Sequence, residues 1–196
     1  MNKDQWQTGW GLILISFFLL GVWAMYTNNA IIHVLWLCNH TALVMGIALL
    51  LRRPGVLAGE VSLFLIPQIL WSVDFLSVML TGHSPLGTVV YMFDPMYPIS
   101  MYILGLSHLI LAPLTIVILF GSEWKPSFAA STIVPHVLAL WVVSAMIGPM
   151  LNLNCYARPC SPVLPDAGYW WYGSILLLAM ALGVNALLIW ACKKVG

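Results

Sequence analysis

The segment Trp36-Leu37-Cys38-Asn39-His40 sets a thiol two residues from an imidazole, and Asp74 and His108 stand in two further apolar stretches. These residue types suit acyl transfer. A cysteine becomes a nucleophile when a neighbouring imidazole takes its proton, and a carboxylate can orient that imidazole and stabilise its charged form. Cys38 is the candidate nucleophile, His108 the base, and Asp74 or His40 the group that positions the base. Thr41, one turn from Cys38, is a second candidate nucleophile. Asn39 or Asn152 can donate to an oxyanion, and Asn154 and Trp36 complete the candidate substrate contacts.

Two other chemistries fit the same residues. His40, Asp74 and His108, with His33 or water, would make a zinc-type set with an open position. The spans contain no paired ligand spacing such as H-x-x-x-H, so no cofactor is expected, and zinc stands as the alternative. A lone helical cysteine is also commonly a small buried apolar residue. On that reading the polar layer is a binding site, or a knot fixing helix packing in a scaffold protein or complex subunit.

The elements that carry these residues are apolar. Of 196 residues, 62% are hydrophobic and 7% charged, against roughly 25% charged in an ordinary soluble domain. Mean hydropathy is +0.97. So few charges cannot cover a globule, which excludes a soluble fold, and the apolar runs are too continuous for an alternating membrane barrel. A net charge of +1 offers no basic surface to nucleic acid. The expected partner is membrane lipid, with partner subunits or further copies of the chain as additions.

A spanning helix needs about 20 mostly apolar residues. The stretches 9–26, 31–51, 56–80, 99–120, 129–152 and 169–192 qualify. The expected architecture is all-α: one transmembrane domain over residues 1–196, with six helices in one bundle. On that topology Lys3, Arg52, Arg53, Lys125, Lys193 and Lys194 share one side and Arg158 lies on the other. Positive residues mark the cytoplasmic side, so both termini are expected to be cytoplasmic in a plasma membrane. The first span is expected to be retained, since Tyr26-Thr27-Asn28-Asn29-Ala30 lacks a small-residue cleavage pattern.

At a rise of ~1.5 Å per residue, Cys38, His40, Asp74 and His108 fall roughly 9–14 Å below the outer surface. That shared depth makes them one candidate site, since an ionisable group in hydrocarbon is a functional hypothesis by default. Glu60, about one turn from the inner end, is expected to reach water, and His136 to lie too deep on the inner side to join. Gln68 and Asn185 are expected to make hydrogen bonds between helices. Two longer outer connections, 81–98 and 153–168, can form a cap. Cys155 and Cys160 are spaced to close a loop disulfide there, with two free thiols as the alternative.

The motifs Trp36-Leu37-Cys38-Asn39-His40, Gly105-Leu106-Ser107-His108 and Asn152-Leu153-Asn154-Cys155-Tyr156-Ala157-Arg158-Pro159, with Tyr169-Trp170-Trp171-Tyr172, together resemble the six-helix YwaF family of bacterial membrane proteins and its animal relatives. The androgen-induced fatty-acid-ester hydrolases look similar in outline. The resemblance covers roughly spans two to six. It implies an intramembrane acyl hydrolase or acyltransferase with Cys38 as nucleophile and His108 as base. The family commonly has a histidine two residues before the cysteine, where this chain has Trp36 and its nearest histidine is His40.

Overall fold

In the computed structural model, residues 2–94, 98–122, 129–147, 159, 163–165 and 167–195 are described, and every regular element among them is a helix. Helix α1 runs Lys3–Thr27. It begins two turns before the expected apolar span because Asn2 and Gln5 close a reciprocal cap: the Gln5 amide donates to Asn2 Oδ1 at 2.9 Å, and the Asn2 amide to Gln5 Oε1 at 3.1 Å. Such a box satisfies two of the amides that a helix start leaves without partners.

The ends of α1 and α2 share one solution. At the end of α1, Ala30 N–H donates to Met25 O at 2.8 Å and Asn29 N–H to Tyr26 O at 3.2 Å, with Asn29 left-handed at φ 55°. Helix α2 (Leu37–Leu50) ends the same way: Arg53 N–H donates to Ala48 O, Arg52 N–H to Leu49 O, and Arg52 is left-handed at φ 54°. Both are two-bond caps of the kind that usually recruit glycine, with asparagine as the next choice. Pro54 then opens α3 (Pro54–Thr81), where its missing N–H costs nothing. Helix α3 ends on Gly82, whose φ of 71° is open to glycine without strain.

The chain continues as α4 (Ile99–Leu106), α5 (His108–Gly121), α6 (Ala130–Ile147) and α7 (Tyr169–Val195). Five helical stretches are long and apolar enough to cross a membrane: Lys3–Thr27, Pro54–Thr81, Ile99–Gly121, Ala130–Ile147 and Trp171–Lys193. These are the features of a helical membrane protein. The expected second span is corrected. Residues Ile31–Leu35 form a 3-10 turn, Trp36 is extended at ψ 137°, and the α-helix is only 14 residues long, about 21 Å at the helical rise. Ile31, Ile32 and Val34 are β-branched and hold an α-helix weakly, but to a hydropathy count they read as more of the same span.

Helix α3 is the central element, packed on α2, α5, α6 and α7, while α1 lies along α2. The α1–α2 contact is set by Gly11 and Gly46. A Cβ on Gly46 would stand 2.8 Å from Gly11 O, and one on Gly11 3.0 Å from Gly46 O. Small residues that let backbones approach this closely drive helix association where no hydrophobic effect acts between helices. Asp4 pairs with Arg52 at 3.1 Å across the same helices, although at 60% exposure each the pair adds little stability. Gln7 Nε2 donates to Ser122 O at 3.1 Å, bringing the end of α5 beside the start of α1. The end of the molecule with the start of α1, the 51–53 turn and Ser122 is called the amino-terminal face below.

Because backbone atoms face a side chain at Gly46, Gly46→Ala should lose about 1–3 kcal/mol to overpacking. Gly9→Ala, with open space around its Cβ, should melt like the parent. Thermal unfolding of the two variants in detergent checks this; equal melting of Gly46→Ala and the parent would remove the close crossing from the account.

Candidate functional site

A cavity of about 620 Å³ opens between α2, α3, α5, α6 and α7, within the usual range for a small-molecule or cofactor site. One wall is a helical face of α3: Phe64, Pro67, Gln68 and Trp71 recur at three- and four-residue spacing and all line it. Pro67 has no N–H to give to the carbonyl one turn back, so α3 is loosened where it meets the cavity. Cys38 and His108 line the same space. His108 is buried, its ring 4.7 Å from that of Trp71, which stacks on Phe75 at 5.3 Å. Cys38 is half-buried and carries a free thiol. Trp36 stands at the cavity from the extended residue before α2.

Gln68 is the polar group that sequence reasoning placed elsewhere. It is 2% exposed, and its Nε2 has no hydrogen-bond partner among the described residues. It was expected to bridge helices. The structure instead leaves a donor at the cavity wall, and a buried donor without a partner costs about 1–3 kcal/mol. Its signal in the sequence is the register it shares with Phe64 and Trp71.

The roof comes from residues after α3. Asp74 is fully buried, and its carboxylate accepts from Ser84 Oγ (2.8 Å), Leu86 N (2.9 Å), Thr88 N (2.7 Å), Thr88 Oγ1 (2.7 Å) and Val89 N (3.2 Å). Leu86, Gly87, Thr88 and Tyr91 from this segment line the cavity, and Tyr91 OH accepts from Trp71 Nε1 at 3.3 Å. The cap expected over 81–98 is therefore present in its described part, held by Asp74. The same fact alters the expected role of Asp74. Its partners among the described residues all lie in the loop and none is an imidazole, because five donors already crowd its two oxygens.

His40 is also placed differently. Its Nε2 meets His136 Nε2 at 2.9 Å, and His136 Nδ1 meets Glu60 Oε1 at 2.7 Å. Glu60, expected to reach water, is 1% exposed. His136, expected to stand apart from His40, bonds to it. The depth estimate fails because it counted an unbroken α-helix from residue 31, whereas α2 begins six residues later, after a 3-10 turn and an extended Trp36. His40, Asp74 and His108 thus face three different surroundings, and no group of three His, Cys, Asp or Glu among the described residues is placed to hold a metal ion.

Two further candidates are engaged by backbone. Thr41 is fully buried and its Oγ1 donates to Leu37 O at 2.6 Å. Asn39 Nδ2 donates to His33 O at 2.7 Å, and the side chain faces α1 rather than the large cavity. Asn152, Asn154, Cys155 and Cys160 lie outside the described residues.

No family model, curated protein or solved structure matches this chain. The site therefore rests on its own geometry.

Hydrogen bonds to a charged acceptor contribute about 1.5–3 kcal/mol each. Asp74→Asn keeps one carbonyl oxygen and turns an N–H₂ against the loop donors. Amide hydrogen exchange at Leu86, Thr88 and Val89 should then accelerate at least tenfold while α1 and α2 keep their protection. Unchanged exchange at those three amides would show that the roof does not depend on the carboxylate.

Proposed function

We propose that this chain is an acyl-transfer enzyme of the membrane, a lipid acyl hydrolase or acyltransferase. The observation that carries the reading is one apolar cavity lined by a free cysteine, a histidine and an amide donor without a partner. An acyl chain suits the walls, which include Phe64, Leu70, Val137, Leu140, Leu177 and Met180. The likeness of the Cys38 and His108 motifs to the YwaF family points the same way. The Lys/Arg distribution favours a plasma-membrane protein with both termini cytoplasmic.

In this mechanism His108 takes the proton from Cys38 Sγ, and the thiolate attacks the acyl carbonyl carbon. Gln68 Nε2 donates to the oxyanion that forms, in place of the asparagines expected from sequence. The intermediate collapses with cleavage of the ester C–O bond. His108 returns its proton to the departing alkoxide, leaving a thioester on Cys38. Water or an acceptor alcohol gives its proton to His108 and attacks the thioester. Cleavage of the C–S bond then releases the acid or new ester, and Cys38 recovers its proton. Asp74 acts at a distance, by holding the roof that excludes water. A second reading, a lipid-binding protein without chemistry, draws on the same apolar walls and predicts reversible occupancy alone. A zinc-dependent hydrolase ranks third, without a ligand set among the described residues.

The test uses the full chain in lipid nanodiscs with a long-chain acyl probe bearing a thiol-reactive head, mapped by mass spectrometry. Labelling should fall on Cys38 and slow by roughly 10²–10⁴-fold in His108→Ala, the usual contribution of a general base. On an ester the protein turns over, Gln68→Ala should lower kcat by roughly 10²–10³-fold, as loss of an oxyanion donor does. Cys192→Ser should leave both unchanged. Labelling of Cys38 at the same rate in His108→Ala, or full turnover in Cys38→Ala, would end the assignment, and bound lipid without a covalent product would favour the second reading.

A further inference from the structure

The large cavity differs at its two ends. Cys38 and His108 stand in the first turns of α2 and α5, and Tyr169 opens α7, so hydrogen-bonding and reactive groups gather under the roof. Towards the amino-terminal face the wall passes to Phe64 on α3, Val137 on α6, and Leu177 and Met180 on α7, all apolar. We propose that the occupant is an uncharged, single-chain lipid ester, with its head under the roof and its chain running towards Phe64 and Met180. The ester rests on the acyl-transfer reading above, whereas the charge, the number of chains and the direction rest on the cavity alone.

Among the described residues, no Asp, Glu, Lys or Arg lines the cavity. A phosphate or carboxylate brought there from water would lose its hydration with no cation to replace it, and a buried charge without a countercharge is costly. The roof adds to the cost for an anion. Leu86 and Thr88 line the cavity and also donate to Asp74, whose partners among the described residues are hydroxyls and amides, none of them a cation. The Asp74 carboxylate thus lies behind the surface that the head meets, and like charges repel strongly where the dielectric is low. Arg53, beside the start of α3, is about 30 Å away along that helix. His108 brings no positive charge to the substrate, since it must be neutral to take the proton of Cys38. An uncharged ester meets none of these penalties, and its carbonyl oxygen supplies the acceptor that the buried Gln68 Nε2 lacks among the described residues.

Size sets the number of chains. A methylene takes up about the volume of a water molecule in the liquid, roughly 30 Å³, so a cavity of about 620 Å³ holds about 20 such groups. That is one long acyl chain with a small alcohol, and a two-chain lipid is about twice too large by the same measure. Shape agrees with size. Between Tyr169 and Met180 the cavity follows α7 for roughly 16 Å at the helical rise, a length that suits one chain lying along the helices.

The test is photo-crosslinking of the full chain in zwitterionic nanodiscs, mapped by mass spectrometry. The probes are ether lipids, which contain no ester to be turned over: a hexadecylglycerol with a diazirine at the chain end, the same molecule with a phosphate on its glycerol, and a two-chain dialkylglycerol. Each signal is divided by that at Leu20 and Trp23, which are exposed on α1. The uncharged single-chain probe should mark Val137, Leu177 or Met180 about tenfold more than either other probe, a modest margin beside the cost of an unpaired buried charge. Equal marking of those residues by the phosphate probe would overturn the selection against charge, and equal marking by the two-chain probe would overturn the single chain. Marking of α1 alone by every probe would overturn the site. Selective marking in a protein that turns over no ester would keep the uncharged single-chain ligand and remove the acyl-transfer reading, and turnover of an ester without such marking would do the reverse.

Discussion

A polar side chain on an apolar helix in hydrocarbon has no water to turn to, so it must find its partners within the protein. Most of the tertiary structure follows from how that constraint is met. Asn185 Oδ1 on α7 accepts from Ala129 N at the start of α6. Gln7 on α1 reaches the Ser122 carbonyl at the end of α5. The hydroxyls of Thr41, Ser62 and Thr115 turn back onto carbonyls of their own helices, which costs no second element. Where the group is charged, the arrangement becomes larger: five donors gather on Asp74, and two imidazoles line up behind Glu60.

The short α2 helix borders the cavity on one side and the Glu60 line on the other. Cys38 looks into the cavity while His40, two residues on and so nearly opposite around the helix, looks towards α3 and α6. The extended Trp36 makes this possible, because it ends the 3-10 turn and starts the helix late. Helix α3 supplies the complementary faces. Glu60 lies near its start, Phe64, Gln68 and Trp71 line its middle, and Asp74 binds the loop beyond its end. One helix thus carries the carboxylate that meets His136, the amide of the cavity and the clamp of the roof.

The helical class and five of the six expected spans were legible because hydrophobicity and length are local properties. Cys38 and His108, singled out by residue type and rough depth, line one cavity. What depth could not supply was azimuth and register. Counting 1.5 Å per residue assumes an unbroken helix, and the turn at residues 31–35 breaks it. Glu60 and His136 were therefore assigned to separate surroundings although they meet at 2.7 Å, and Gln68 was treated as a bridge although its amide is left without a partner.

The sequence by itself determined the helical membrane class and most of the apolar segments, and the caps that bound them, Asn2 with Gln5, Asn29, Pro54 and Gly82, act on neighbours a few residues away. Only the tertiary structure decided which polar side chains share a partner. A hydrogen bond depends on the direction of a side chain within about an ångström, and that direction follows from how α2, α3 and α6 are rotated against one another. Residues 40, 60 and 136 are far apart in the chain, so no local pattern records their meeting. Asp74 reads on paper as one more ionisable group at the depth of Cys38. Its five bonds to residues 84–89 exist because Gly82 turns the chain back over the end of α3, and that turn makes it the anchor of a roof.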